Sequence, residues 1–238
     1  MIFYYIRHGD PIYAPDSLTP LGERQAEAVG RRLAVYGIDR IYASTSERAK
    51  LTAKPLSEIV DKEIVTLDFA NECYTWEEFT LDKKDGRRFL FQDPEIKMLF
   101  ADESVYSLGH KWYEHPEFAK HKKFKEGTDR IYNATYEFFK TLGYEHERHT
   151  GKYKVITPNN ERIAFFAHQG FGLAFMSVML DIPYPFIANH YDMCHSGVTA
   201  IEFTEENGYA IPKVLFWSSD SHLYKDGLPT KYNNMLYI

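Results

Sequence analysis

Short apolar runs that alternate with helical patterns constrain the fold of this chain more than any other feature. Residues 2–6 and 163–167 are continuous apolar runs, typical of strands buried on both faces of a parallel sheet. A helical pattern follows each run, at 20–37 behind the N-cap Thr19 and at 170–180. This alternation predicts a three-layer α/β/α sandwich around a mostly parallel sheet.

The remaining chain continues the alternation with one interruption. We expect a single domain over residues 1–238, with a cap region inserted at about 79–127, where aromatics, Lys, His and Pro follow no sustained period. Residues 145–161 predict a polar loop. The other predicted strands are 41–43, 64–69, 197–203 and 210–217, with one antiparallel edge, and the other predicted helices are 49–60 and 128–142.

Composition narrows the function classes. The net charge of −6 disfavours general affinity for nucleic acid, and no apolar run approaches the roughly 20 residues that span a bilayer. The two cysteines, Cys73 and Cys194, cannot form a disulfide framework, and the N-terminal run lacks a basic leader. We therefore expect a cytoplasmic protein without nucleic-acid or membrane partners. The oligomeric state is left open.

Polar side chains follow the predicted strands at the points where each strand ends. Arg7-His8-Gly9 ends the first strand and His168-Gln169 the later one, while Ser44 with Arg48, and then Glu72, follow two others. Because ligands of such sheets bind at the carboxyl ends of the strands, we expect these side chains to converge.

The chemistry of this set is that of phosphate esters. Guanidinium groups offer paired donors to phosphate oxygens, and a neutral imidazole can attack phosphorus directly. The leaving alkoxide needs a proton, for which Glu72 is the available carboxylic acid. The arginines would neutralise the charge usually balanced by Mg²⁺, so we predict neither a metal nor a cofactor.

Four sequence blocks resemble the histidine phosphatase superfamily, also called phosphoglycerate mutase-like. They occur in the family's order and span nearly the whole chain. The blocks are Arg7-His8-Gly9 with Leu18-Thr19-Pro20-Leu21-Gly22, Ser44 with Arg48-Ala49 and Thr52-Ala53, Phe166-Ala167-His168-Gln169-Gly170, and Asp220-Ser221-His222-Leu223.

The resemblance implies a phosphohistidine mechanism. His8 would accept the phosphoryl group, and Glu72 would protonate the leaving oxygen and then activate water. Arg7, Arg48 and His168 would clamp the phosphoryl oxygens, Gly9 would let the backbone approach and orient the ring, and Gln169 would contact phosphate.

Two departures from the family's pattern leave alternatives open. The stretch after Glu72 lacks the usual glycine, so Glu77 or Glu78 is the reserve for the acid. Asp10 stands where Glu or Gln is frequent, and no asparagine follows at the usual distance.

The sequence supports one preferred hypothesis for the function and two alternatives. We expect a phosphomonoester hydrolase acting on a small phosphorylated metabolite. A mutase that returns the phosphoryl group to its substrate is the first alternative, and a catalytically silent phosphate-ligand binding protein is the second. The family's Glu-Arg-His-Tyr-Gly mutase signature is replaced by Glu72-Cys73-Tyr74-Thr75-Trp76, which favours hydrolysis.

The histidines show no recognised metal pattern. His115 and His121, and likewise His146 and His149, have close spacings, but no cysteine or carboxylate cluster joins either pair in the sequence.

Overall fold

The computed structural model describes residues 1–233 and contains a central sheet, two hairpins and a second, smaller sheet. The strands are Ile2–Arg7 (β1), Pro11–Tyr13 (β2), Asp16–Leu18 (β3), Arg40–Ser44 (β4), Ile64–Leu67 (β5), Thr80–Lys83 (β6), Gly86–Phe89 (β7), Tyr144–Glu147 (β8), Lys152–Val155 (β9), Arg162–Ala167 (β10), Val198–Glu202 (β11), Glu205–Glu206 (β12), Tyr209–Ala210 (β13) and Lys213–Ser219 (β14).

Helices cover the central sheet and fill much of the remaining chain. They are Pro20–Ala34 (α1), Glu47–Val60 (α2), Glu72–Glu78 (α3), Pro94–Phe100 (α4), Glu103–Tyr106 (α5), Pro116–Ala119 (α6), Lys122–Thr141 (α7), Gln169–Met179 (α8), Tyr184–His190 (α9) and Ser221–Lys225 (α10), with 3₁₀ helices at Asp68–Ala70, Leu90–Gln92 and Gly109–Glu114. Within residues 1–233, every helix falls short of the length and apolarity needed to cross a bilayer.

The central sheet has the strand order β14-β11-β1-β10-β4-β5, and β1, β10, β4 and β5 are parallel. The predicted antiparallel strand exists, but it is β11, second from the edge, and β14 is antiparallel to β11. A short connection of the kind that joins β11 to β14 suffices for antiparallel neighbours, whereas parallel neighbours need a long crossover.

Alternate residues of the central strands enter opposite layers, which confirms the predicted three-layer fold. Phe3 and Phe165 belong to the core beneath α7 and α8, whereas Tyr4, Ile6 and Phe166 belong to the core beneath α1 and α2. Strands buried on both faces must be apolar throughout, which is the pattern the sequence shows.

The predicted loop at 145–161 is wrong, because β8 and β9 form an antiparallel hairpin there and pair through β13 with β12 in the second sheet. Charged residues on the outer face of the hairpin masked the alternation of its buried side chains, Tyr144, His146 and Tyr153. Helix α7 also begins at Lys122, six residues before the predicted start.

The segment 79–127 contains a β-hairpin and short helices rather than irregular chain. Its buried aromatics join the same core cluster as α7 and α8, among them Phe100, Trp112 and Phe118. The interpretation of this segment as a cap stays a prediction.

The loop after β1 passes very close to the start of α1. Thr19 caps α1 by accepting a hydrogen bond from the Gly22 N–H, and Pro20 occupies the first turn. A Cβ at Gly22 would lie 2.2 Å from the Asp10 carbonyl oxygen, and a Cβ at Gly9 would lie 2.6 Å from the Gly22 carbonyl oxygen. Both positions therefore require glycine.

We expect Gly22→Ala to lower the free energy of unfolding by about 1–3 kcal/mol, because backbone must shift to admit the methyl group. Chemical denaturation measures the change. Arg24→Ala, at an exposed position of the same helix, is the control and should change stability by less than about 0.5 kcal/mol. A Gly22→Ala protein as stable as this control would contradict the close approach.

Candidate active site

A cavity of about 1000 Å³ opens at the carboxyl ends of β1, β4 and β10. Side chains from all of the predicted strand ends line it, together with residues of the β2–β3 hairpin and of the C-terminal segment. The lining residues are Arg7, His8, Tyr13, Asp16, Thr45, Ser46, Glu47, Arg48, Asn71, Glu72, Cys73, Trp76, Phe89, Gln92, Gln169, Gly170 and Asn233.

His8 follows β1 and is almost completely buried. Its Nδ1 lies 2.7 Å from the Gly9 carbonyl oxygen, which can only accept a hydrogen bond, so Nδ1 carries the proton. Burial, and then the nearby imidazole of His168 and two guanidinium groups, hold the pKa of His8 well below its usual range. The ring is therefore neutral near pH 7, with its lone pair on Nε2.

His168 lies beside His8, with 5.2 Å between the ring centroids. Parallel pairing of β1 and β10 causes this proximity, because Arg7 is paired with Ala167 in register. The Nε2 atom of His168 lies 2.8 Å from Ser44 Oγ and 2.9 Å from Ser46 Oγ. Its Nδ1 is buried and has no hydrogen-bond partner among residues 1–233, and the ring lies behind the cavity wall rather than in it.

Arg7 is buried and held by neutral acceptors. Its guanidinium donates to the Met193 carbonyl, to the Asn233 side-chain oxygen and to His195 Nε2, the last at 2.8 Å. His195 Nδ1 lies 3.3 Å from Asp10 Oδ1, so Asp10, His195 and Arg7 form a series. Burial, followed by the Arg7 charge, lowers the pKa of His195 to about 4, which keeps its Nε2 free to accept from Arg7.

Asp10 anchors this series as a carboxylate. Although burial alone opposes ionisation, the polar contacts with His195, Lys231 and Thr19 hold the pKa of Asp10 well below its usual range. Lys231 Nζ lies 2.7 Å from Asp10 Oδ1. Asp10, which stands where the family usually has Glu or Gln, therefore contacts Arg7 indirectly, through His195.

Arg48, in the first turn of α2, is held by the β2–β3 hairpin. Its Nη1 lies 2.7 Å from Asp16 Oδ1, and its guanidinium carbon lies 5.4 Å from the centre of the Tyr13 ring. Asp16 Oδ2 also accepts the Glu47 N–H at 2.8 Å, so one carboxylate caps α2 and orients the arginine.

Glu72 begins α3, for which the Asn71 side chain is the N-cap. Its two carboxyl oxygens accept the N–H groups of Gly170 and Phe171, each at 3.0 Å, at the N-terminus of α8. Burial raises the pKa of Glu72, while the Phe171 N–H and Arg48 act in the opposite direction. The reserve acids lie elsewhere: Glu77 pairs with Arg87 and Glu78 with Arg130.

Gln169 and Gly9 have partners within the protein. The Gln169 amide donates to Asp192 Oδ1 and accepts from Asn233 Nδ2, and the side chain lines the cavity. The Gly9 N–H donates to Thr52 Oγ1 at 3.0 Å and its carbonyl accepts from His8, so its backbone orients the ring without lining the cavity.

Sequence reasoning missed Asp16 and Asn233 and assigned His195 only a structural role. Asp16 and Asn233 belong to a three-residue strand and to the C-terminal segment, far from any apolar run, so no local pattern marks them. His195 lies just before β11, and that position was its only signal.

Comparison with known proteins indicates which family the chain resembles. A model described as the histidine phosphatase superfamily, branch 1, matches residues 3–89, a little over a third of the chain. Solved phosphatases share the fold over 92% and 93% of the chain. None of the curated proteins matches its sequence significantly.

Several solved structures are similar to this protein. Phosphoserine phosphatase of Entamoeba histolytica, in complex with 3-phosphoglyceric acid, is 17% identical with a TM-score of 0.60, over 93% of this chain and 98% of that one. A mycobacterial glucosyl-3-phosphoglycerate phosphatase with VO3 is 15% identical with a TM-score of 0.60, over 92% and 99%. At these low identities, the structural likeness shows the fold alone.

We expect His195→Gln to weaken the pH dependence of stability. With a native pKa of about 4 against about 6.5 unfolded, His195 takes up a proton on unfolding between these values, so stability falls as pH falls through this window. Denaturation at pH 7, 6 and 5 should show the slope reduced by up to about 1.4 kcal/mol per pH unit. His190→Gln, at an exposed position, controls for loss of a histidine. Unchanged slopes in His195→Gln would contradict its buried, neutral state.

Proposed function

We propose that this protein is a histidine phosphatase, a phosphomonoester hydrolase that forms a phosphohistidine at His8 and acts on a small phosphorylated metabolite. One observation carries the proposal. The Gly9 carbonyl fixes the proton of His8 on Nδ1 and leaves the Nε2 lone pair in a cavity that the guanidinium groups of Arg7 and Arg48 also line.

In the first step, His8 Nε2 attacks phosphorus, the P–N bond forms and the bond to the leaving oxygen breaks. Arg7 and Arg48, which line the cavity, stabilise the negative charge on the phosphoryl oxygens. The contact of His168 with these oxygens stays a prediction. Glu72 in its acid form donates its proton to the leaving alkoxide. Its raised pKa favours that form, and an oxygen that already accepts one N–H keeps a further site for a proton.

In the second step, the Glu72 carboxylate takes a proton from water. The resulting hydroxide attacks phosphorus, the P–N bond breaks, and inorganic phosphate leaves with His8 restored. Glu72 is then protonated again and ready for the next substrate.

The walls of the cavity favour hydrolysis of a substrate with one anionic group. Within the described lining, the basic side chains other than imidazole are Arg7 and Arg48, so a second anionic group of the kind a mutase must bind finds no further cation. Trp76 and Phe89, with 5.0 Å between ring centres, supply an apolar wall for an organic leaving group. The acidic net charge favours a free metabolite over nucleic acid.

The comparisons support the reaction class. The similar structures include proteins named phosphoserine phosphatase and glucosyl-3-phosphoglycerate phosphatase, so the superfamily's fold carries hydrolysis in these neighbours. Location in the cytoplasm stays part of the proposal and rests on two free thiols, exposed Cys73 and buried Cys194.

We expect hydrolysis of a chromogenic aryl phosphate that His8→Ala abolishes and that Arg48→Ala slows by about a hundredfold, since one such donor contributes about 3 kcal/mol in the transition state. Lys54→Ala, at an exposed position of the same helix, is the matched control and should keep full activity. Equal rates in wild type and His8→Ala would refute catalysis at this site. Formation of 2-phosphoglycerate from 3-phosphoglycerate faster than phosphate release would favour the mutase.

We expect Glu72→Gln to slow hydrolysis of alkyl phosphates more than that of aryl phosphates, because an aryl oxide leaves without a proton. For the wild type with alkyl phosphates, kcat/KM should fall as the pH rises above the raised pKa of Glu72, since the acid form is then lost. Rates for a series of leaving groups, measured over a range of pH, test both effects. Glu77→Gln is the matched control. Equal loss for both classes of substrate in Glu72→Gln would refute the assignment of the acid.

A further inference from the structure

A cluster of imidazoles around one buried carboxylate lies outside the active-site cavity. We propose that His110, His149 and Asp181, supported by His146, form a binding site for a divalent transition metal of the zinc class. The sequence predicted no metal, because Asp181 lies 32 residues beyond His149 and His110 lies 36 residues before His146, so no short spacing joins the pair His146 and His149 to a further ligand. This proposal is independent of the reaction at His8.

The distances within the cluster fit metal ligands better than hydrogen bonds. His149 Nδ1 lies 3.6 Å and His110 Nε2 lies 3.7 Å from Asp181 Oδ1, beyond the 2.7–3.2 Å typical of N–H···O bonds. Zinc bonds of about 2.0–2.1 Å place neighbouring ligand atoms of a tetrahedron about 3.4 Å apart. One ligand atom from each of the three residues lies within 4.8 Å of the others.

The donor set indicates which metals fit. Imidazole nitrogens suit zinc and its first-row neighbours, whereas Ca²⁺ and Mg²⁺ prefer oxygen ligands. Asp181 adds a carboxylate, and its Oδ2 accepts the Gly151 N–H at 2.9 Å.

His146 supplies an independent sign that the cluster is incomplete. Its side chain is 1% exposed, and neither ring nitrogen has a hydrogen-bond partner among residues 1–233. Its Nε2 lies 3.4 Å from Asp181 Oδ2, on the opposite oxygen to His110 and His149. A buried ring in this position either completes the ligand set or orients the carboxylate that binds the metal.

The backbone at Asp181 also points to a role for the side chain. Asp181 follows the C-terminus of α8 with φ of 55°, and the Ile182 N–H donates to the Ser177 carbonyl. Glycine adopts this left-handed position at lower cost. Aspartate adds a carboxylate that accepts the Gly151 N–H at 2.9 Å and faces three imidazoles.

A small cavity of about 30 Å³ beside the cluster has room for one ion or water, and His110, His149 and Asp181 line it. Among the described residues, Arg148 is the only lysine or arginine that lines the same cavity. Its guanidinium stacks on Tyr132 at 4.0 Å and lies 3.6 Å from Asp129 Oδ1, and these contacts offset its repulsion of a metal.

Bound metal would join three separate segments. His110 lies in the 3₁₀ helix Gly109–Glu114, within the segment 79–127, while His149 lies in the β8–β9 turn and Asp181 after α8. Because the unfolded chain does not hold these residues together, metal binding would stabilise the folded protein and fix this segment against the core.

Chelator-treated protein titrated with Zn²⁺ by calorimetry tests the proposal, with Co²⁺ absorption as a second readout of tetrahedral coordination. We expect one site per chain and a rise in Tm with zinc. His149→Asn and His110→Gln should each weaken zinc binding by about tenfold or more. Asparagine tolerates the left-handed backbone at His149, where φ is 63°.

Two controls separate this site from other histidines. His8→Ala removes an active-site imidazole and His190→Asn an exposed one, and both should retain zinc binding. Absence of saturable binding, binding that survives both cluster substitutions, or binding lost only in His8→Ala would overturn the proposal. If His149→Asn does not fold, His110→Gln, in a different segment, decides the outcome.

Discussion

Parallel pairing of β1 with β10 is the constraint on which the candidate site depends. The register sets Ile6 beside Phe166 and Arg7 beside Ala167, so both strands end at the same level and the next residues, His8 and His168, become neighbours. A shift of the register by one residue would reverse which side chains enter each layer of the core. Burial of the apolar strand residues on both faces therefore also fixes the geometry of the two imidazoles.

The two arginines of the cavity are held in a similar way. Each arginine is held by a carboxylate on the protein side, Arg48 directly by Asp16 and Arg7 through His195 by Asp10. These partners orient the guanidinium groups and limit the cost of burying their charge. Both rings beside them remain neutral, because burial and the arginines lower the pKa values of His8 and His168. In the proposed reaction, a phosphate dianion would supply the negative charge that the two arginines and two neutral imidazoles leave unbalanced.

Local patterns predicted the central elements well, because strands buried on both faces must be apolar and helices on a sheet must be amphipathic. They failed where burial and charge alternate within a few residues, as in the β8–β9 hairpin, and where aromatics pack without a period, as in 79–127. The position of Glu72 after β5 indicated it as a candidate acid, but the sequence could not decide between Glu72 and the reserve acids Glu77 and Glu78. That choice depends on contacts of Glu72 with the start of α8, made across about a hundred residues of sequence.

The sequence by itself determined the layered fold and the order of strand ends, because these follow from periodicity and from residues adjacent to apolar runs. The roles proposed for His8, Arg7, Arg48 and His168 rest in addition on the resemblance to the histidine phosphatase superfamily. Only the tertiary structure decided what surrounds them: Asp16 on Arg48, His195 and Asn233 on Arg7, and Asp181 among three histidines. Such contacts join residues that are distant along the chain, and their distances and burial exist only once the layers have packed.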